Sequence, residues 1–504
     1  MNDGALPPTL RAVIDHLALE QPEAPLLVDP ETDGITTYGN LKRDVDDLAA
    51  ELAGLGVAPG DVVSTMLPNG RAAVQVFLGA MHGGHVVSPI NLLAQDTQLE
   101  HVLAHSGTRV VFAAPEHTAR LTALAAPGVH IRVTQPDHVA PVAARHAPAI
   151  TLAPDDPALL MYTSGTTGLP KGVLLTHRNV LAAGRAVAEV HALTPADRVL
   201  SALPLYHING QCIATVAPLV SGGSIVLPRR FSVSQWWALV ERYRPTWLNL
   251  VPTMIAYLCN GVELSAAERD ACRGVRFARS ASAPLPPEQH RAFEQRFGIS
   301  IIEAMGLTET ASVAFTNPLD PSARRIGSPG LPLAVDACVM APDGRELPTG
   351  EAGEICLRGA PVMQGYFREP ELTAQARDAQ GWLRTGDLGY RDADGYYFIT
   401  GRLKELIIKG GENIAPREID EALLAHPAVL EAAAVGIPDA EYGQEILACV
   451  VLKEGVSCTE AELHAHCLRV LGRYKTPKEL RFVAELPKGP SGKVQRRLLL
   501  ESAT

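Results

Sequence analysis

The chain has 504 residues, of which 47% are hydrophobic and 20% charged, and its formal net charge is −11. This length exceeds the size at which one hydrophobic core usually stops growing, so we expect a globular protein of at least two domains. The negative charge argues against a general nucleic-acid binder, because such proteins gain most of their affinity by neutralising phosphates.

The first part of the chain alternates helical and strand-like patterns. In "LKRDVDDLAAELAGLG" (41–56) the residues Leu41, Val45, Leu48 and Leu52 recur at helical spacing before two glycines end the helix. Short apolar runs follow at 62–68, 85–90 and 108–114. This alternation predicts layered α/β subdomains with substantial parallel sheet.

The pattern changes near residue 320, where short strands broken by Gly, Pro and Asp predict a small β-rich subdomain. Beyond residue 402, two amphipathic helical segments (416–427 and 460–472) lie among strand-like runs. We therefore predict a large N-terminal domain over 1–402 and a smaller, mobile α+β C-terminal domain over 403–504.

The eight cysteines show no CxxC pair and no metal-ligand spacing, which favours free thiols in a reducing compartment. The N-terminus lacks the basic start and apolar run of a signal peptide, and no stretch suits a membrane span. We therefore expect a cytoplasmic protein. Between Arg469 and Arg497, nine Lys or Arg residues stand against two Glu. This basic tail predicts either attraction of a nucleotide or coenzyme A, or simply a solvated face.

A loop rich in Ser, Thr and Gly occurs in "YTSGTTGLPKG" (162–172). Glycine lets the backbone approach phosphate oxygens, the hydroxyl groups add donors, and the lysine adds a positive charge. The spacing differs from that of the P-loop NTPases. Taken alone, the segment is either a phosphate-binding loop or a flexible surface turn.

Further segments decide between these readings. The chain contains, in this order, "YTSGTTGLPKGV" (162–173), "PLYHINGQ" (204–211), "GLTET" (306–310), "GEICLRG" (353–359), "GYFREPELT" (365–373), "RTGDLGY" (384–390), "GRLKELIIKGGENIAPREID" (401–420) and "LPKGPSGKVQRR" (486–497). With these motifs the chain resembles the AMP-forming adenylating enzymes, which include acyl-CoA synthetases, adenylation domains of peptide synthetases and firefly-type luciferases. Eight motifs in family order make coincidence negligible.

The resemblance implies that ATP and Mg²⁺ meet a carboxylic acid to form an acyl-adenylate. The implied residues for pyrophosphate are Thr163, Ser164, Gly165, Thr166, Thr167, Gly168 and Lys171. Thr308 is implied at the α-phosphate, Glu309 at Mg²⁺, and Asp387 with Arg402 at the ribose. Lys493 is implied as the catalytic cation. Met305 stands where many relatives place an aromatic residue against adenine, and a thioether can also pack on the base.

A second half-reaction with coenzyme A is implied for the mobile C-terminal domain. Lys404 occupies the hinge position, and Gly410 with Gly411 is expected to leave room for the pantetheine arm. Tyr442, Tyr474 and Lys478 are candidate coenzyme A contacts or ordinary surface and packing residues.

The segments that line the acyl pocket in this family are polar here. They supply His207, Asn209, Gln211, Arg279, Ser280 and Ser282. A long alkyl chain would require a mainly apolar pocket. "RFARSASAPL" (276–285) is most similar to the oxalate- and malonate-activating branch, so we expect a small acid with a second polar or anionic end, such as oxalate, malonate or sulfoacetate. Arg279 either holds that end or forms a structural salt bridge.

Other functions stay open at this stage. They are a coenzyme A ligase for an aromatic or medium-chain acid, transfer of the acyl group to a carrier protein, and a luciferase-like oxygenase. Loss of Glu309 or Lys493 would indicate a non-enzymatic nucleotide sensor, but both residues are present. The oligomeric state is also open, with a homodimer as one option.

Overall fold

Alternating helices and strands form most of the molecule. The computed structural model describes residues 7–137, 150–163, 169–261, 263–489 and 494–501. The helices are α1 (Leu10–Glu20), α2 (Tyr38–Gly54), α3 (Arg71–His82), α4 (Asp96–Ser106), α5 (Pro115–Leu124), α6 (His177–Val190), α7 (Ala217–Ser221), α8 (Val233–Tyr243), α9 (Pro252–Cys259), α10 (Ala266–Cys272), α11 (Pro287–Phe297), α12 (Pro370–Ala376), α13 (Pro416–Leu424), α14 (Glu460–Lys475) and α15 (Arg496–Glu501). A π-helix spans Asn209–Val216, and single 3₁₀ turns lie at Thr308–Thr310, Pro321–Ala323 and Leu403–Glu405.

The strands follow the same order along the chain. They are β1 (Pro25–Asp29), β2 (Gly34–Thr37), β3 (Val62–Met66), β4 (Val86–Pro89), β5 (Val110–Ala113), β6 (His130–Val133), β7 (Pro157–Thr163), β8 (Lys171–Thr176), β9 (Arg198–Ser201), β10 (Ser224–Val226), β11 (Trp247–Leu250), β12 (Phe277–Ser280), β13 (Ile301–Met305), β14 (Phe315–Thr316), β15 (Leu331–Pro332), β16 (Val335–Met340), β17 (Gly353–Gly359), β18 (Gly365–Tyr366), β19 (Leu383–Arg391), β20 (Tyr397–Arg402), β21 (Ile407–Lys409), β22 (Glu412–Ile414), β23 (Val429–Asp439), β24 (Gly443–Leu452) and β25 (Glu479–Phe482).

Two large sheets form the N-terminal part. One has the order β15-β14-β13-β12-β11-β9-β10-β1-β2, and its strands from β13 to β1 run parallel. The other has the order β18-β8-β7-β4-β3-β5-β6, with a parallel centre. Buried side chains from both sheets and from helices α3 and α6 share one continuous core. This is the predicted layered α/β architecture.

Two smaller sheets complete the described chain. The antiparallel sheet β16-β17-β19-β20 is the predicted β-rich subdomain. After residue 402, the order is β22-β21-β24-β23, with β25 parallel to β24 and helices α13 and α14 packed against this sheet. The predicted α+β character of the C-terminal part is confirmed.

The helix predicted at 41–56 illustrates how the local sequence sets an element. Thr37 caps α2 by accepting a hydrogen bond from the Asn40 N–H group. The periodic Leu41, Val45, Leu48 and Leu52 side chains are buried. The helix ends at Gly54, and Gly56 adopts the left-handed conformation with φ of 74°.

None of the helices in the described part of the chain has the length and apolar composition needed to cross a lipid bilayer.

Candidate active site

A cavity of about 270 Å³ lies beside the C-terminal ends of the parallel strands of the large sheet. Ligands of open α/β sheets commonly bind at this edge. Its walls include Ser282 after β12, Met305 at the end of β13, and Asp387 with Arg402 from the β-rich sheet. Residues of the C-terminal part close the other side, so both parts of the chain form the cavity.

The two residues predicted at the ribose lie together. Asp387 and Arg402 are paired neighbours on β19 and β20, and Arg402 Nε is 2.6 Å from Asp387 Oδ1. Burial alone would lower the pKa of Arg402, but Asp387 and other carboxylates raise it above its ordinary value. A carboxylate oxygen has more than one lone pair, so Asp387 can still accept hydrogen bonds from hydroxyl groups.

The predicted phosphate loop connects β7 to β8. The two strands are antiparallel, and Thr163 pairs with Lys171 at the base of the loop. Five predicted residues, Ser164, Gly165, Thr166, Thr167 and Gly168, lie outside the described residues. Thr163 Oγ1 is buried and has no hydrogen-bond partner in the described chain.

Lys171 and Glu309 are joined through a tyrosine. Lys171 Nζ donates to the Tyr366 hydroxyl at 3.1 Å, and that hydroxyl donates to Glu309 Oε1 at 2.9 Å. Burial lowers the pKa of Lys171 below its ordinary value, and the nearby Glu309 carboxylate offsets only part of this effect. The motif "GYFREPELT" contains Tyr366, but sequence reasoning assigned it no role because its contacts depend on three separate segments.

Glu309 lies next to Thr308 in the 3₁₀ turn that follows β13, and the Met363 N–H group donates to the Glu309 carbonyl at 2.7 Å. Among the described residues, no group of three or more His, Cys, Asp or Glu side chains could hold a metal ion. A metal here would therefore need oxygen atoms of a bound ligand beside Glu309.

Two of the acid-site candidates, Asn209 and Ser282, are joined by a hydrogen bond. Asn209 Nδ2 donates to Ser282 Oγ at 3.1 Å, and Asn249 Nδ2 donates to Asn209 Oδ1 at 3.0 Å. Asn249 is the register partner of Arg279 on the neighbouring parallel strand, so their side chains share a face of the sheet. These hydrogen bonds run from Ser282 at the cavity wall to Asn249, the register neighbour of Arg279, and Arg279 itself is not among the described residues that line the cavity. Asn249 was not predicted, since a lone Asn in an apolar run gives no signal.

Arg279 is the most unusual of these residues. It is 1% exposed, and its three guanidinium nitrogens have no hydrogen-bond partner among the described residues. Burial lowers its pKa to about 10, so it stays charged at neutral pH. No described carboxylate forms an ion pair with it, so the alternative of a structural salt bridge is not supported by the structure.

Three further candidates have surroundings of their own. Ser280 points to the opposite face of β12, beside Glu303, because side chains alternate along a strand. Gln211 donates to the Leu205 carbonyl at 2.6 Å inside the core. Burial lowers the pKa of His207 to about 4, so this ring is neutral at pH 7.

The remaining candidates belong to the C-terminal part of the chain. Lys493 lies outside the described residues. Lys404 is exposed in the turn after β20. Gly410 and Gly411 form the exposed tip between β21 and β22, with φ of 54° and 85°. The Tyr442 and Tyr474 rings lie against Gly410, and Lys478 pairs with Asp439 at 2.6 Å.

Glu303 is a wall residue that the sequence analysis missed. It lies on β13 and lines the cavity, and its Oε2 atom has no hydrogen-bond partner in the described residues. Burial raises its pKa to about 7. The site therefore offers a buried acceptor or donor beside Met305, where the base of a nucleotide is expected.

Family models match most of the chain and agree with the motifs found in the sequence. The family model for AMP-binding enzymes matches residues 14–367, and the model for their C-terminal domain matches residues 418–493. The chain therefore belongs to the family of AMP-binding enzymes.

Two CoA ligases and two solved MatB structures are similar to the chain over nearly its full length. A sulfoacetate–CoA ligase of Cupriavidus necator is 57% identical over 98% of each chain, and an oxalate–CoA ligase of Arabidopsis thaliana is 33% identical over 98% of each. ATP-bound MatB of Rhodopseudomonas palustris matches with a TM-score of 0.90 at 30% identity over 98% of this chain and 99% of that one. Apo MatB gives 0.79 at 31% identity over 98% of each. The chain is an AMP-forming acyl-CoA synthetase, and the predicted family, fold class and reaction class are confirmed.

The protonation of Glu303 provides a test of this site. Its folded-state pKa of about 7 exceeds the ordinary value of 4.5. The stability from this group is therefore full below the ordinary value and is lost as pH rises through about 7. A Glu303→Gln variant should gain stability relative to the parent between about pH 5 and about pH 8, by on the order of 3 kcal/mol at most.

Melting temperatures of both proteins across this pH range would measure the effect. Exposed Glu351→Gln is the matched control and should show no such trend. A constant difference between parent and Glu303→Gln at all pH values would contradict a raised pKa.

Proposed function

We propose that this enzyme activates a small acid with a second anionic end, with sulfoacetate as the first candidate. The observation that carries the proposal is that Arg279 is buried and has no hydrogen-bond partner among the described residues. An isolated buried charge is costly, and the cost is relieved when an anion supplies the missing hydrogen bonds. The planar guanidinium fits carboxylate or sulfonate oxygens with two parallel bonds. The names of the two CoA ligase relatives support an acid of this kind.

The surroundings of Arg279 favour a short substrate. Asn249 and Asn209 already bond each other, and Asn209 bonds Ser282 at the cavity wall. A long alkyl chain would have to displace these polar contacts and would leave the guanidinium unpaired. We therefore expect the reacting carboxylate near Ser282 and the second anion near Arg279.

The first half-reaction joins that carboxylate to the α-phosphorus of ATP. The bond between the α-phosphorus and the bridging oxygen breaks, and pyrophosphate leaves. Lys171, Thr163 and the loop residues 164–168 would neutralise the pyrophosphate, with Thr308 and Lys493 at the α-phosphate. Catalysis of this kind depends mostly on alignment and charge stabilisation.

A magnesium ion fits the chemistry of this site. Glu309 has one oxygen engaged by Tyr366, which leaves capacity for a hard cation that also binds phosphate oxygens. Bound there, Mg²⁺ would neutralise charge on the phosphates. Asp387 and Arg402 would hold the ribose, and Met305 would pack on adenine.

The higher TM-score against ATP-bound MatB than against apo MatB favours the adenylate-forming arrangement for the structure described here. For the second half-reaction, the unit 403–504 would rotate about Lys404, and the thiol of coenzyme A would replace AMP. Gly410, Gly411, Tyr442 and Lys478 would face the coenzyme.

Eight free cysteines suit a cytoplasmic enzyme, and a homodimer is the oligomeric state that we propose.

An acid panel tests the substrate class. Purified protein with Mg-ATP and coenzyme A would receive acetate, oxalate, malonate, sulfoacetate, benzoate or octanoate, and AMP and pyrophosphate release would be measured. Sulfoacetate should exceed acetate in kcat/KM by about 100-fold or more, since one buried charge pair is at stake. Preference for benzoate or octanoate would refute the proposed pocket, and pyrophosphate release without CoA-dependent AMP release would indicate a carrier-protein acceptor.

Replacement of Arg279 separates a ligand role from a structural one. An Arg279→Met variant should lose about 100-fold or more in kcat/KM for sulfoacetate while acetate is affected far less. The ligand-free variant should also melt at a higher temperature than the parent, because a buried unpaired charge has been removed.

Arg276→Met is the matched control. Arg276 lies on the same segment and pairs with the buried Asp197 at 2.7 Å. Its loss should lower the melting temperature and leave the acid preference intact. A lower melting temperature for Arg279→Met, with equal losses for all acids, would show that Arg279 is structural.

A further inference from the structure

A buried ion pair lies beneath the exposed double-glycine turn of the C-terminal part. Lys409 is the last residue of β21, directly before Gly410 and Gly411. Its Nζ atom is 2.8 Å from Glu445 Oε1 on β24, and the two side chains are 7% and 8% exposed. The turn itself is exposed, and so is Ile408 at 54%. A buried charged pair thus lies directly under a solvent-exposed turn.

Lys409 also connects the turn to helix α14. Its Nζ atom donates to the Tyr474 carbonyl at 2.9 Å, and the Tyr474 hydroxyl donates back to the Lys409 carbonyl. Gly410 lies so close to Tyr474 that an added Cβ atom would be 2.8 Å from the hydroxyl oxygen. These contacts fix the backbone on the N-terminal side of the turn.

A buried ion pair is a poor source of stability, since an apolar pair of similar volume is often as good or better. The Lys409 ammonium group bonds a carboxylate on β24 and a carbonyl on α14 at the same time. It therefore fixes the position of β21 relative to both elements. The pair therefore accounts for the shape of the turn better than for the stability of the domain.

We propose that Lys409 is a positioning residue for the second half-reaction. With Glu445 and Tyr474, it holds the Gly410–Gly411 turn in the shape that receives the thiol arm of coenzyme A. The inference rests on the proposed function. It also changes the interpretation of Tyr474, whose hydroxyl is already engaged by the Lys409 carbonyl and acts through the turn instead of on the coenzyme.

The same contacts should be unimportant for adenylate formation. The described residues that line the 270 Å³ cavity include none from the hairpin 407–414. In this arrangement the turn faces solvent, so its shape does not affect the site where acid and ATP meet.

The two half-reactions can be measured separately with sulfoacetate as the acid. Pyrophosphate release without coenzyme A reports the adenylate step, and product formation after coenzyme A is added to the preformed adenylate reports the thioester step. The test variants are Tyr474→Phe and the double variant Lys409→Met/Glu445→Leu, which leaves no unpaired buried charge. Both variants should slow the thioester step by about tenfold or more. This is the size of effect expected when a hydrogen bond to a charged group or to a fixed backbone carbonyl is lost.

In both variants the adenylate step should stay close to the parent rate, and Lys409→Arg should retain much of the thioester rate. Lys475→Met removes an exposed pair with Glu418 one residue from Tyr474 and should change neither step.

Equal slowing of both steps would show that the pair only stabilises the domain, and unchanged thioester rates would show that it does not position the turn. Either result overturns the inference. A parent that forms adenylate but never consumes coenzyme A would refute the proposed acceptor itself, and this outcome is read before any variant is measured.

Discussion

A guanidinium group buried without a hydrogen-bond partner costs free energy that folding alone does not recover. Arg279 lies on β12, and its neighbour on β11 is Asn249. The Asn249 amide and the amide of Asn209 in the π-helix bond each other, and no described residue bonds the guanidinium. Under the proposed function, this charge would receive the second anionic end of the acid, and the choice of acid would follow from it.

The parallel sheet brings several candidate site residues to one edge. Strands β11, β12 and β13 end at the same edge, where Met305 is the last residue of β13 and Ser282 and Glu309 lie in the segments that follow β12 and β13. The β-rich sheet adds Asp387 and Arg402 from the side. Tyr366 then joins Lys171 to Glu309, so the cation and the carboxylate expected around the phosphates are held at fixed positions before nucleotide binds.

Much of this could be predicted from the sequence because the signals are local. The periodic residues of α2, the motifs that contain Asp387 and Arg402, and the double glycine at 410–411 each lie in a short segment. Tertiary features could not be predicted in the same way. The isolation of Arg279, the opposite orientation of Ser280 and the contacts of Tyr366 and Tyr474 depend on which segments pack together. The burial of Glu303 likewise depends on a cavity formed by two parts of the chain.

The most direct test of the account is a crystal structure of the protein with sulfoacetate and a non-hydrolysable ATP analogue. The account predicts sulfonate oxygens within about 3 Å of the Arg279 guanidinium nitrogens and the carboxylate directed toward the α-phosphorus. A bound acid whose sulfonate lies elsewhere, with Arg279 still unpaired, would contradict the central claim that this buried charge selects the substrate.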